Sequence, residues 1–253
     1  MKAANKQTSK AKNKANSKKK NSKSENHTLA IDIGGTGLKA SVLDENGEML
    51  TERVRVETPH LSTPEIIVDT LAKLVASLPP FGRVSVGFPG VVRRGVTVTA
   101  PNLNGNWGDF RLADVLSKRL GVPVRVANDA DVQGFGVISG HGVELVVTLG
   151  TGFGSGLFVD GILVPNLELG HHPFQKGKTY EELLGDAVLK KVGKKKWNKR
   201  LVRAIRTLDL VFNYDLLYIG GGNAERVTVK LPSNVKIVSN VAGLLGGLAL
   251  WRD

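Results

Sequence analysis

Three features of this 253-residue chain predict a mixed α/β fold made of two similar halves that face each other across a cleft. Short apolar runs rich in Val, Ile and Leu alternate with amphipathic stretches at helical spacing, the pattern of sheets covered by helices. A strand, Gly/Thr turn, strand unit at Asp32-Ile33-Gly34-Gly35-Thr36 recurs 116 residues later at Thr148-Leu149-Gly150-Thr151-Gly152. The length suits one large domain or two small lobes sharing a cleft, and it can bury a core without covalent staples. Zero Cys excludes a disulfide scaffold, a thiolate zinc site, an iron–sulfur cluster and a cysteine nucleophile.

The elements follow in order. Residues 1–26 hold nine Lys and one Glu with Met1 as the lone large apolar side chain, so a disordered Lys-rich tail is expected there. From His27, strands are predicted at Thr28–Ile33, Leu38–Leu43 and Met49–Val56, with Glu45-Asn46-Gly47 turning between the last two. Pro64, behind Ser62 or Thr63 as cap, opens a helix to about Leu78 whose Ile67, Leu71, Leu74 and Val75 share a face. Arg83–Phe88 and Val96–Ala100 read as strands, Leu112–Leu120 as a helix, and Val122–Ala127 as a strand ending in Asn128-Asp129. The second half repeats the pattern with strands at Glu144–Leu149 and Ser155–Val159, then helices near Tyr180–Lys190 and Lys195–Phe212. Leu216–Ile219 is a buried strand running into Gly220-Gly221-Gly222, and Val241–Trp251 closes as a helix. The division expected is a tail (1–26), an N-terminal lobe (27–127) and a C-terminal lobe (128–253).

Several of these junctions carry chemistry. Glycines between two strands let a ligand approach the backbone, whose N–H groups, with Thr hydroxyls, cradle phosphate oxygens. Gly34, Gly35, Thr36, Gly150, Thr151 and Gly152 are so placed; beside them Asp32 suits a Mg²⁺ ion and Lys39 a phosphate charge. Neither turn is a Walker A loop, lacking its Gly-Lys-Ser/Thr ending, nor a dinucleotide fingerprint, since a strand follows. Asn128-Asp129-Ala130-Asp131 stands where a strand gives way to a helix. There Asp129 has two readings, a helix cap or a base that accepts a proton from a substrate hydroxyl during phosphoryl transfer, while Asp131 is assigned to the helix start. Glu168-Leu169-Gly170-His171-His172 and Asn102-Leu103-Asn104-Gly105-Asn106 are polar loops suited to a polyhydroxylated ligand, though turn propensity also explains the second.

Taken together, these pieces resemble the ROK family of sugar kinases. The resemblance is carried by Asp32-Ile-Gly-Gly-Thr36, Phe88-Pro-Gly90, Pro101-Asn102-Leu103, Asn128-Asp129, Leu149-Gly-Thr-Gly-Phe-Gly154, Glu168-Leu-Gly-His171 and Gly220-Gly-Gly222, in family order and spacing, and it covers about residues 28–251. It implies the actin/hexokinase-like fold of two RNase H-like lobes and phosphorylation of a hexose, usually at the 6-hydroxyl of glucose. By matching motif it makes Asp129 the general base and Asn102, Asn128, Glu168 and His171 sugar ligands, with Glu181 or its neighbour Glu182 as a further one. The turns at 34–36 and 150–152 become phosphate loops, and Gly220, Gly221 and Gly222 border a nucleotide. The Cys-rich zinc segment of many members is replaced here by Gly-Lys-Thr-Tyr-Glu-Glu, and no winged helix fits in the first 26 residues. Those two departures and the short length resemble the polyphosphate glucokinase branch.

Charge bears on the phosphoryl donor independently. The formal net charge is +12, yet residues 1–26 carry +8, the block Lys190–Arg206 carries +9 with no acid, and the remainder is mildly acidic. Lys196, Lys199, Arg200 and Arg203 recur at i, i+3, i+4 and i+7, and with Lys195 they are expected to bind polyphosphate, a linear polyanion that relieves the repulsion within a cationic face. An ordinary solvated helix face is the alternative. The favoured reading is a Mg²⁺-dependent glucokinase using polyphosphate, with ATP as a second donor left open; a strictly ATP-dependent hexokinase comes next, and a non-enzymatic nucleic-acid or sugar sensor last, since Asp129 and both phosphate turns argue against it. A cytoplasmic protein is expected, with no membrane segment, no secretory signal and no specific nucleic-acid partner. A homodimer is left open.

Overall fold

The structure, a computed structural model, describes residues 26–239 and 245–252. The expected tail therefore lies outside the described residues, apart from Asn26. In the first half the chain forms β1 (Thr28–Ile33), β2 (Leu38–Leu43), β3 (Val54–Val56), α1 (Pro64–Val75), β4 (Arg83–Phe88), β5 (Val92–Arg93), β6 (Val96–Thr97), α2 (Leu112–Leu120) and β7 (Val124–Asn128). After α3 (Asp129–Phe135) come β8 (Val143–Leu149), β9 (Phe153–Val159), β10 (Ile162–Val164), β11 (Pro173–Gln175), β12 (Lys178–Thr179), α4 (Glu181–Leu184), α5 (Asp186–Val192) and α6 (Lys194–Phe212). Strands β13 (Leu216–Gly220) and β14 (Val235–Ile237) and a 3₁₀ turn at Gly246–Trp251 complete it.

Two five-stranded sheets result, ordered β3-β2-β1-β4-β7 and β10-β9-β8-β13-β14. In each, the first three strands run antiparallel and the last two join in parallel. The internal repeat inferred from the two glycine turns is thus a repeat of whole sheets, with β1 matching β8 and the two turns at equivalent β-hairpins. Central strands β1 and β8 are almost wholly buried, which is why they read as unbroken apolar runs.

Each sheet has its own core. Helices α1 and α2 cover the first through Ile67, Leu71, Leu112 and Leu116. Helix α6 covers the second through Trp197, Leu201, Ala204, Ile205 and Leu208, spaced so that one face is buried and the cations stay outside. Its C-terminus stops at Asn213 in the left-handed conformation (φ 46), as α2 stops at Gly121 (φ 74). Trp197 is fully buried and its indole N–H donates to Leu184 O at 2.8 Å, fastening α6 to α4. Trp197→Ala is expected to cost about 3–5 kcal/mol, measured by denaturant unfolding. Helix α3 packs on both sheets, and the 246–251 turn returns to the first, where Trp251 donates to Ser85 Oγ at 2.9 Å and lies beneath Arg83 and Arg125.

Some boundaries differ from expectation. The third strand is only Val54–Val56, Met49 making an isolated bridge to Leu43, and Val96–Thr97 is shorter than expected. The helix expected over Tyr180–Lys190 is two short helices broken at Gly185, where a Cβ would lie 2.8 Å from Thr151 O. The closing helix is 3₁₀ at 246–251, and residues 241–244 fall outside the described residues. Among the described residues no helix is long and apolar enough to cross a membrane.

Candidate active site

A cavity of about 780 Å³ separates the sheets, walled by the C-terminal ends of their parallel strands. At its floor, β7 hands over to α3. Asn128 caps that helix, its Oδ1 accepting from the Ala130 and Asp131 N–H groups at 2.8 and 3.3 Å. Asp129 is therefore not needed as the cap and lines the cavity, with Oδ1 accepting from Ala130 N–H at 2.8 Å. Burial, then the neighbouring Asp32 carboxylate, push its carboxyl up to about 7, with Glu168 and Asp131 adding and the Ala130 N–H opposing. Such a group exchanges a proton at neutral pH.

Asp131 lies in the first turn of α3, as assigned, but its side chain caps no N–H group of that helix. Its side chain is 2 % exposed, Oδ2 accepts from Asn166 N–H at 3.4 Å, and Oδ1 has no partner. Burial and Glu168 hold its carboxyl at about 7 as well.

Asp32, the last residue but one of β1, lies on the far side of β4, opposite Gly87, whose other neighbour is Ala127 of β7. Without a side chain at Gly87 the Asp32 and Asp129 carboxylates face the same space. Lys39, directly across from Asp32 on β2, pairs with it at 2.8 Å rather than standing free. The next residue in that row is Arg55 of β3, which also lines the cavity and donates to Thr36 O at 3.4 Å. Arg53, Gln133 and Asp186 line it too, without having been singled out in the sequence. For Arg55 the signal exists only once β3 is known to pair with β2, because same-face neighbours across strands depend on register. Among the described residues no three His, Asp or Glu side chains converge on one point. The protein offers a cation one or two hard carboxylate oxygens, which is the share Mg²⁺ takes when phosphates and water complete its octahedron.

The polar wall is a short chain of contacts. Asn128 Nδ2 donates to Gly90 O at 3.2 Å and to Glu168 Oε1 at 3.3 Å, and Glu168 Oε2 lies 3.6 Å from His171 Nε2. Burial raises the Glu168 carboxyl, while His171 opposes and Glu181 adds. Of the two neighbouring glutamates, Glu181 lines the cavity and accepts from Phe153 N–H at 3.4 Å; Glu182 is exposed and turned to Thr179 N–H at 2.8 Å. Asn102 lies over Gly35 at the rim. Asn104 of the same loop is structural, bonded to Ser62 Oγ and His60 O.

On the opposite wall, Gly150 N–H donates to Gly152 O at 3.2 Å and Asp186 N–H to Gly150 O at 2.9 Å, so the break at Gly185 lets α5 start against the turn. Asn223 closes the wall, its Nδ2 donating to Gly150 O at 3.3 Å. Gly34, Gly35, Thr36, Gly150, Thr151, Gly152, Gly221 and Gly222 all border the cavity. Gly220 does not: it ends β13 against Gln133. Lys196, Lys199, Arg200 and Arg203 line a separate pocket, and Lys195 lines neither.

Residues 28–181 match the model of the ROK family. The chain is 31 % identical over 240 residues to the polyphosphate glucokinase of Mycobacterium tuberculosis (strain ATCC 25618 / H37Rv), covering 88 % of this chain and 90 % of that protein. Among solved structures it is similar to an inorganic polyphosphate/ATP-glucomannokinase from Arthrobacter sp. strain KM, with 33 % identity, a TM-score of 0.81, and coverage of 88 % and 97 %. A ROK family glucokinase from Streptomyces griseus, in complex with glucose and AMPPNP, shares the fold at TM-score 0.71 and 21 % identity, over 88 % of this chain and 98 % of that one. The two matching sheets are accordingly those of the actin/hexokinase-like fold.

Proposed function

The chain belongs to the ROK family of kinases, and on that premise we propose that it transfers the terminal phosphoryl group of inorganic polyphosphate, and that of ATP, to the 6-hydroxyl of glucose. One observation carries the reading: Asp129, its carboxyl held near 7, lies on the cavity floor between two glycine turns borne by equivalent β-hairpins. Glucose hydroxyls meet Asn102, Asn128, Glu168, His171 and Glu181, which together supply both donors and acceptors. That array fixes O6 against Asp129 and is the larger part of catalysis by positioning.

Asp129 Oδ accepts the O6 proton as O6 bonds to phosphorus and the phosphorus–bridging-oxygen bond of the donor breaks. The products are glucose 6-phosphate and a donor shorter by one phosphate, or ADP. Gly34 and Gly150 spend their N–H groups on Gly37 O and Gly152 O, so the N–H groups of Gly35, Thr36, Thr151 and Gly152 are those left to face the donor's negative charge, with Lys39 adding its charge while paired to Asp32. Mg²⁺, held by Asp32 with Asp129 beside it, would neutralise donor oxygens. Lobes divided at about residues 127 and 128 close over the sugar and exclude water, in a cytoplasmic enzyme.

Initial rates of glucose 6-phosphate formation with nucleotide-free long-chain polyphosphate and with ATP, each as sole donor, test the proposal. Turnover with both is expected. Turnover with ATP alone would leave the second reading, a strictly ATP-dependent kinase, and no turnover with either on any hexose would overturn both.

A further inference from the structure

Outside the cleft, a second pocket of about 420 Å³ is bounded by Lys196, Lys199, Arg200 and Arg203 of α6 and by Lys176 and Lys178 of the β11–β12 hairpin. The hairpin cations are far from the helix in sequence and become its neighbours only in the fold. The pocket's remaining lining is Gln175 and Leu183, with no acid. Among the described residues none of these six cations has a carboxylate at ion-pair distance. The carboxylate of the adjacent Glu182 accepts from Thr179 N–H instead. Six like charges around so small a volume repel one another unless an anion is present.

The position of the pocket, next to the phosphate-binding wall, bears on which anion it takes. Helix α4, four residues and so about 6 Å long, is the partition: Glu181 at its start lines the cleft and Leu183 lines the basic pocket. Arg200 Nη1 donates to Leu183 O at 3.1 Å, and Asp186, just beyond, holds the Gly150 turn. The basic pocket therefore begins about one helical turn from the phosphate-binding wall. The four cations of α6 extend it by about 10 Å along the helix axis. We propose that this pocket is a distal subsite that holds a downstream segment of a linear inorganic polyphosphate chain whose terminal phosphate lies in the cleft. The inference rests on polyphosphate being a donor. ATP and tripolyphosphate are too short to occupy the cleft and the helix face together, so the subsite makes affinity depend on chain length.

A suitable variant combines Lys176→Asn, Lys199→Gln and Arg203→Gln. Lys176 has φ 52, in the first position of a two-residue turn that favours Asn, so its replacement removes charge without straining the hairpin. Arg200 is left intact because it holds α4. Full-length wild type and variant carry the same Lys-rich N-terminal stretch, whose non-specific contribution cancels. Michaelis constants for ATP, tripolyphosphate and long-chain polyphosphate are measured in both, with equilibrium binding of long-chain polyphosphate as a function of salt. In the variant the KM for long chains should rise about tenfold or more, with those for ATP and tripolyphosphate unchanged, and the log–log salt slope of binding should fall by about one per cation removed.

An unchanged preference for long chains, or an equal change for all three donors, overturns the subsite while leaving polyphosphate as donor. Long chains that bind wild type and lose affinity in the variant but support no turnover would instead overturn polyphosphate as donor and leave the binding surface. A single-stranded oligonucleotide that displaces long polyphosphate equally well at equal charge would reduce the pocket to a non-specific polyanion patch and overturn the proposal.

Discussion

Asp129→Asn is expected to lower turnover about 10²- to 10⁴-fold with the KM for glucose largely kept, because the lost function, taking the O6 proton, operates only in the transition state. The same substitution should stabilise the fold at alkaline pH. In the folded protein the Asp129 carboxyl is held at about 7, whereas in the unfolded chain it titrates near about 3.9. Between those values the folded state keeps a proton that the unfolded state releases. The stability contributed by this group is therefore complete below about pH 4 and is lost as pH rises through about 7. Asn carries no such proton, so the variant should exceed wild type by more than about 1 kcal/mol at pH 8, the difference closing toward pH 4. Urea unfolding at the two pH values measures it. Wild-type kcat/KM should fall on the acid side of about pH 7. Near-normal turnover in the variant would remove Asp129 from the mechanism, and loss of both turnover and stability would indicate a damaged fold instead.

Gly221→Ala and Gly222→Ala should separate cleanly although the residues are adjacent. Gly221 has φ 85, and a Cβ there would lie 2.4 to 2.7 Å from the backbone of Leu149. Strain and overlap together should cost about 2–5 kcal/mol, read from unfolding. Gly222 has no positive φ, and a Cβ there meets no protein atom within 4 Å. Its replacement should leave stability unchanged or raise it by up to about 1 kcal/mol. Gly222 also borders the cavity, so the added methyl occupies space that a donor needs, and the KM for donor should rise about tenfold or more. An unchanged donor KM in that variant would remove Gly222 from the donor site.

Much of this was legible one residue at a time. The central strands and α2 appear within a residue or two of their expected places, and α1 starts at Pro64 as expected but ends at Val75, three residues short of Leu78; their signals are local, as apolar runs, a proline at a first helical turn or a terminating glycine. The helix expected over Tyr180–Lys190 misled because Gly185 breaks it for a distant reason, the approach of the Thr151 carbonyl. Asp131 stands at the helix start as expected, but its burial was not legible, because a helix-start position says nothing about what will cover it, here the loop carrying Asn166 and Glu168.

By itself the sequence determined the α/β alternation, the repeated glycine turns, the motif set of the family and the segregation of charge, all carried by near neighbours in the chain. Only the tertiary structure decided that Asn128 caps α3 and leaves Asp129 to the cavity, that Glu181 rather than Glu182 faces it, and that Lys176 and Lys178 join the α6 cations. These outcomes depend on strand register and on which surfaces meet across sheets. Desolvation and the proximity of carboxylates from different strands then set the proton affinity of Asp129, and neither exists until the chain has folded.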